Sequence, residues 1–451
     1  MDKDTRKYIL VTDTFASLGF ADEQITKHQE SEVIIGYQFD KTNMEPKEAK
    51  ERQELFDKTG EGIVETFRLD KLMKNRDEYR DWIWVWDGNH NVEENELLRS
   101  EGFDVVFGGE FCNSMENDRE AGIEFAQSCG MEIPETTEFM GSDFNGGIKF
   151  LEDNEEDAFV FKPNNSQDNW LTYVPKNEDP INANLELREY MTAIEKTGKV
   201  KEGFVLQKKI KGVEVNVEVF VSKGKYVFAH ANFENKRTHM NDTGEASGCA
   251  FDVDFAIPLN CKLVKETVNK FRDKLPPNFT GFVDANVFVG EYQQIFFLEY
   301  CFRVGYSMAP NFFYNLSEHT FLQFAADLHF GTYIPKVKDG FGASLTLFAP
   351  HYHMGLPIYC PDSLRNKFYL MEGYREDDKL FMTGLDHEIG VVMAHEYSIE
   401  NALKNVVENG EKIIFPDVFA RWDAYTNKDA VSGPKRRYEA LMVMGMFKSV
   451  E

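Results

Sequence analysis

The sequence predicts an α/β fold that opens with a parallel, doubly wound sheet, and three observations carry this expectation. Short apolar runs at 8–12, 33–37, 82–86 and 104–108 alternate with polar segments of helical character, as strands joined by helical crossovers do. Trp82, Trp84 and Trp86 alternate with Ile83 and Val85. Both faces of that strand are therefore apolar, and it belongs inside a sheet covered on both sides. Residues 281–305 hold two apolar runs separated by a polar turn at Gly290–Gln294, which reads as a β-hairpin.

Composition sets the limits. A chain of 451 residues has room for about two to four domains. Hydrophobic residues make up 42% and charged residues 28%, normal for a folded globular protein. No apolar run approaches the roughly 20 residues that span a bilayer. The start, Met1–Lys7, leads straight into a strand and has no apolar signal core. Six scattered cysteines without paired spacing predict reduced thiols, a cytoplasmic setting and no zinc site. A net charge of −27 argues against broad binding to nucleic acid or anionic membrane.

Asp87-Gly88-Asn89-His90 follows the Trp strand, at the carboxyl end where open α/β sheets place ligands. A helix is expected over Asn117–Gly130, then an extended segment from Ile133-Pro134 and an acidic turn at 152–157. Phe159–Lys162 and Gly203–Lys208 read as strands around a helical segment, Asp179–Thr197. Val213–Phe220 and Lys225–Phe233 predict a hairpin through Ser222–Lys225. Residues 320–330 look helical, and Val337–Gly342 reads as a linker. The last unit has strands at 344–348, 368–371, 380–382 and 390–394, a helix at 398–409 and a closing run, Ile413–Phe415. The tail after Thr426 is basic and reads as a loose helix.

Candidate chemistry sits at a few of these places. Asp284 and Asn286 are two apart, so both point to one face of their strand; Glu299, Cys301 and Arg303 alternate in the same way on the next. Converging carboxylate and amide oxygens suit Mg²⁺, and the planar fork of an arginine suits phosphate or carboxylate. An ordinary hairpin with a solvated polar face is the plainer reading. Lys162 ends an apolar strand and either snorkels or reaches a phosphate. Gln207-Lys208-Lys209-Ile210, followed by Gly212 and Glu214, fits a hinge whose backbone binds an adenine edge with Glu214 on a ribose; strand–turn–strand explains it equally. Lys236-Arg237 precede Asp242-Thr243-Gly244 in a polar loop. His351 and His353 alternate on a possible strand and read as surface or packed residues. The Trp stripe reads as core.

Taken in order, these pieces resemble the ATP-grasp fold, and more narrowly phosphoribosylamine–glycine ligase. Asn235-Lys236-Arg237 with Asn241-Asp242-Thr243-Gly244 resembles that family's His-Lys-Arg…Lys-Asp-Thr-Gly loop. Gly281-Phe282…Glu299-Tyr300-Cys301-Phe302-Arg303-Val304-Gly305 resembles its Gly-Phe…Glu-Phe-Asn-Cys-Arg-Phe-Gly. Asn117-Asp118-Arg119…Ile133-Pro134 resembles its Ser-Lys…Ile-Pro segment, with Arg119 in place of a phosphate-binding lysine. Asp417-Val-Phe-Ala-Arg421 resembles a landmark of its C-terminal domain.

The resemblance implies a doubly wound N-terminal domain (1–110), an ATP-grasp domain (111–335, lid about 135–210), a small α+β C-terminal domain (336–426) and a tail (427–451). It implies a carboxylate–amine ligase that uses ATP and Mg²⁺ or Mn²⁺ and works through an acyl phosphate. Its partners would be small molecules, an amine and an amino acid or other carboxylate, and the chain a monomer or homodimer. Arg119, Lys162, Gln207, Lys208, Lys209, Ile210 and Glu214 would bind ATP. Glu299, Asp284 and Asn286 would hold the metal, and Arg303, Asp242 and Arg237 would serve catalysis.

The chain departs from the family in several places. Lys162 is followed by Pro-Asn-Asn-Ser-Gln-Asp-Asn-Trp170, with no glycine and no second lysine. Thr12–Ser17 replaces a phosphate-binding Gly-Gly-Arg-Glu. Cys301 stands where the family has a metal-binding Asn, Lys208-Lys209 stand where acids are usual, and Ser247–Ala250 replaces Gly-Gly-Met-Gly. The missing glycine loop and Cys301 favour the alternative of a degenerate nucleotide-binding or structural module, whereas the retained Glu299, Arg303, Lys162 and Asp242-Thr243-Gly244 favour the enzyme.

Overall fold

The computed structural model describes residues 4–38, 44–164, 171–305, 307–349, 354–426 and 433–450, apart from the side chain of Arg119. The chain falls into two units. One comprises Met1–Asn113, Val215–Asp284 and Cys301–Glu451; the other comprises Ser114–Glu214 and Ala285–Tyr300.

The larger unit begins with β1 (Lys7–Thr12), β2 (Glu32–Tyr37), β3 (Glu65–Arg68), β4 (Ile83–Trp86) and β5 (Asp104–Val106). They form a sheet of order β3-β2-β1-β4-β5, parallel at every pairing. The expected doubly wound sheet is present, with one edge strand, β3, that the sequence pattern did not reveal. Its sequence, Glu-Thr-Phe-Arg, is half exposed and too polar to stand out. Trp84 and Trp86 are fully buried with stacked rings 6.4 Å apart, so the Trp stripe is core. Chain order reverses between β1 and β4, so the carboxyl ends of these two strands flank the switch point of the sheet.

In the smaller unit, β6 (Thr136–Met140), β7 (Phe159–Pro163) and β8 (Gly203–Lys208) make an antiparallel sheet of order β6-β8-β7. A core of Phe144, Phe161, Phe204, Leu187 and Met191 holds it against helices Phe144–Asp153 and Pro180–Glu195. Both helices start where an Asp accepts a backbone N–H: Asp143 from Gly146 and Asp179 from Asn182.

The remaining strands are β9 (Gly212–Ser222), β10 (Lys225–Asn232), β11 (Asn235–His239), β12 (Thr243–Ala256), β13 (Gly281–Gly290), β14 (Ile295–Cys301), β15 (Phe341–Phe348), β16 (Pro357–Ile358), β17 (Phe368–Leu370), β18 (Tyr374–Glu376), β19 (Lys379–Phe381) and β20 (Glu388–Glu396). In the larger unit the order is β13-β9-β10-β12-β15-β20-β17, with β11 on β12, while β16, β19 and β18 form a small separate sheet. In the smaller unit the far end of β13 pairs with β14. The hairpin of residues 281–305 is thus present, as is the β9–β10 hairpin. The expected polar loop at 241–244 is instead the tip of a β11–β12 hairpin. The run Ile413–Phe415 contributes only a bridge from Ile414 to Tyr359. The tail carries a helix, Pro434–Val443. Among the described residues no helix is long and apolar enough to cross a membrane.

Candidate functional site

In the smaller unit, β7 sets Lys162 opposite Val205 of β8. The hinge after β8 is firmly held. The Lys208 N–H donates to the Glu135 carbonyl at 2.8 Å and the Lys209 N–H to the Ala158 carbonyl at 2.7 Å. Their side chains are engaged too: Lys208 Nζ meets Asp157 at 2.6 Å, and Lys209 Nζ donates to the Pro175 carbonyl at 2.9 Å and pairs with Glu178 at 3.1 Å. Gln207 donates to the Thr136 hydroxyl at 3.2 Å. Ile210 sits in the short connection to β9.

Glu214 lies on β9 and Asn286 on β13. The Asn286 Nδ2 donates to Glu214 Oε1 at 3.0 Å, so the carboxylate fixes the amide. Asn286 is buried, and its Oδ1 has no hydrogen-bond partner among the described residues. That costs free energy unless a ligand satisfies the oxygen. Glu299 on β14 is exposed. Asn286 and Glu299 each carry oxygen donors of the kind Mg²⁺ takes. Arg119 opens the helix Arg119–Ser128, which Asp118 caps by accepting the Ala121 N–H. The side chain of Arg119, the run 165–170, His351 and His353 lie outside the described residues.

In the larger unit, Asp284 is buried, unlike the solvated face of an ordinary hairpin. Arg303 Nη1 donates to the Val304 carbonyl at 3.0 Å, and Cys301 lies half-buried two residues before it. The hairpin tip at Asp242 is more elaborate than its sequence suggests. Asn241 and Asp242 have φ of 59° and 53° and Gly244 has 80°, a left-handed run that Asn, Asp and Gly tolerate best. A side chain at Gly244 would also meet His239 Nδ1 at 2.2 Å. Asp242 pairs with Arg421 at 2.8 Å, and Arg421 is bound to Asp423 at 2.8 Å. Arg421 also donates to the Arg237 carbonyl at 3.1 Å, while Arg237 donates to the Gly244 carbonyl at 2.9 Å. Sequence reading named Arg421 only as a landmark and missed its role as the buried clamp of this tip. Nothing in the spacing of residues 242 and 421 announces the pair.

No family model matches the chain, and no curated protein matches it in sequence. Solved structures do. Phosphoribosylamine–glycine ligase from Thermotoga maritima aligns with a TM-score of 0.66 at 15% identity, over 92% of this chain and 99% of its own. N5-carboxyaminoimidazole synthetase from Staphylococcus aureus aligns at 0.53 and 10%, over 91% and 98%. The biotin carboxylase domain of Hydrogenobacter thermophilus 2-oxoglutarate carboxylase, solved with MgADP and bicarbonate, aligns at 0.60 and 11%, over 99% of both chains.

The chain has the ATP-grasp fold. The likeness covers nearly the whole chain at identities too low for a sequence match.

Proposed function

We propose that the chain is an ATP-dependent ligase that joins a carboxylate to an amine. The carboxylate oxygen takes the γ-phosphoryl group of ATP, giving an acyl phosphate and ADP. The amine nitrogen then attacks the carbonyl carbon and inorganic phosphate leaves. The observation that carries this reading is the buried Asn286 Oδ1, unpartnered among the described residues while Glu214 holds the other end of the amide. Asn286 and Glu299 would hold Mg²⁺; when bound, the ion would neutralise charge developing on the transferred phosphoryl group. Lys162 and Arg119 would hold ATP phosphates, the Gln207–Ile210 segment the adenine, and Arg303 the carboxylate. Arg237 and Asp242 would act through the hairpin tip that they build.

The amine differs from phosphoribosylamine, or binds through another phosphate site. A phosphate dianion needs several converging donors, whereas the Thr12–Ser17 turn offers Asp13. That carboxylate repels a phosphate unless a cation neutralises it.

A thermal shift with Mg-ATP, followed by an ADP-release assay with glycine and a panel of amines, tests the reading. At about 100 times Kd, binding should stabilise the fold by about 2.7 kcal/mol. Glu299→Gln should abolish Mg²⁺-dependent binding. Parent-like Mg-ATP affinity in that variant removes Glu299 from the site. Binding without turnover on any amine supports a nucleotide-binding module instead. Ordinary turnover on phosphoribosylamine refutes the substrate assignment alone.

A further inference from the structure

Several unsatisfied polar atoms gather at the switch point of the parallel sheet, in the larger unit. Asp13 follows β1 and Asp87 follows β4, and these strands are neighbours. His90 follows three residues later. The ligating atoms of Asp13, Asp87 and His90 lie within 4.8 Å of one another. Asp87 is fully buried, and Asp13 Oδ1, Asp87 Oδ1 and His90 Nε2 are each buried without a hydrogen-bond partner among the described residues.

The surroundings orient these groups. Ser17 Oγ donates to Asp87 Oδ2 at 2.6 Å, fixing the carboxylate and leaving Oδ1 turned to the cluster. Trp86 Nε1 donates to the His90 carbonyl at 3.1 Å. The His90 ring lies over Gly88, where an added Cβ would come within 2.6 Å of Nδ1; only glycine leaves that room. Phe15, buried with φ of 61°, anchors the turn that carries Asp13 in a conformation costly for an aromatic residue.

An imidazolium bridging two carboxylates is the simplest alternative, but it would close to hydrogen-bond distance. Here His90 Nδ1 is 3.6 Å from Asp13 Oδ1, and Nε2 is 3.7 Å from Asp87 Oδ1, beyond the roughly 2.7–3.2 Å of N–H···O bonds. Such gaps suit ligands spread around a cation about 2.0–2.2 Å from each.

We propose that Asp13, Asp87 and His90 form a binding site for a divalent transition-metal ion, with Zn²⁺ the best match. An imidazole nitrogen with two carboxylates suits zinc better than Mg²⁺, which prefers all-oxygen ligands. No cysteine takes part, so the cysteine pattern gave no hint of it. Three protein ligands leave a fourth position for water or substrate. None of its three residues is among those proposed above to hold Mg²⁺.

The test uses the full chain, stripped with a chelator, incubated with Zn²⁺, desalted and analysed for bound metal. The parent should retain one equivalent. Asp87→Asn and His90→Gln should each weaken binding at least ~10-fold, while Glu299→Gln should not. Circular dichroism checks that the variants fold. If either unfolds, Asp13→Asn, at a side chain 36% exposed, is read instead, with Co²⁺ absorption bands as the reporter of coordination. No retained zinc in the parent, or retention as tight in the folded variants as in the parent, overturns the proposal.

Discussion

Two clusters in the larger unit have the same chemical composition, one imidazole between two carboxylates, yet opposite character. His230 donates to Asp254 at 2.9 Å and to Glu218 at 2.7 Å, and all three are buried. Burial alone would lower the His230 pKa, but Asp254 and Glu218 outweigh it and hold it up at about 10. That cluster is closed, a charged imidazole satisfied at both nitrogens. Asp13, Asp87 and His90 stay open by about an ångström, by the distances given above. Burial pushes the Asp87 carboxyl up, His90 pulls it down and Asp13 raises it further. Composition is therefore no guide to role. What separates a strut from a ligand site is whether the polar atoms reach each other. The closed cluster sits on the antiparallel strands β9, β10 and β12, whose pairing brings side chains into contact. The open one sits on loops beyond the ends of parallel strands, where nothing forces closure.

The largest effect should come from breaking the closed cluster. His230→Ala leaves two buried carboxylates facing each other and should cost about 3–5 kcal/mol, as when one partner of a buried ion pair is removed, read by urea unfolding. A loss under about 1 kcal/mol would mean that the cluster is not charged.

Next comes the pH dependence of the same triad. His230 is held above its unfolded value of 6.5, so its stabilisation is complete below about 6.5 and disappears as pH rises toward about 10. Urea midpoints should fall between pH 7 and pH 9.5 in the parent, and fall less in His230→Gln.

Asn substitutions should then set the two clusters apart in sign. Asp254→Asn removes a buried charge from a bound imidazolium and should destabilise by about 2 kcal/mol. Asp87→Asn, in metal-free protein, removes a buried charge without a close cationic partner and should be neutral or stabilising by about 1 kcal/mol. Equal losses from both would erase the distinction.

The smallest effect is expected from Gly88→Ala. The added Cβ meets only the movable His90 ring, so the stability cost should stay near 1 kcal/mol, read by thermal melting. Zinc retention should nevertheless fall, because His90 must swing away.

Much of this architecture was written in local pattern. The Trp82–Trp86 run announced a strand covered on both faces, and the Asp284/Asn286 and Glu299/Arg303 alternation announced a hairpin, because strand periodicity is local. The strand β3 escaped because its edge is half exposed and polar, while β12 was missed although Phe251, Val253 and Phe255 alternate with Asp252 and Asp254, because its start is a polar hairpin tip. The sequence places Asp87 and His90 at a ligand-bearing strand end, but Asp13 only within the Thr12–Ser17 turn.

The sequence by itself determined the fold class, the order of the pieces and the residue types available for chemistry. Tertiary structure alone decided which polar groups meet. Lys208 is spent on Asp157, Asp242 on Arg421 and Glu214 on Asn286. His230 is closed between two carboxylates while His90 is not. Those pairings join residues up to 179 positions apart, as residues 242 and 421 are. They depend on strand order and register to within an ångström, and no short-range pattern encodes a distance of that kind.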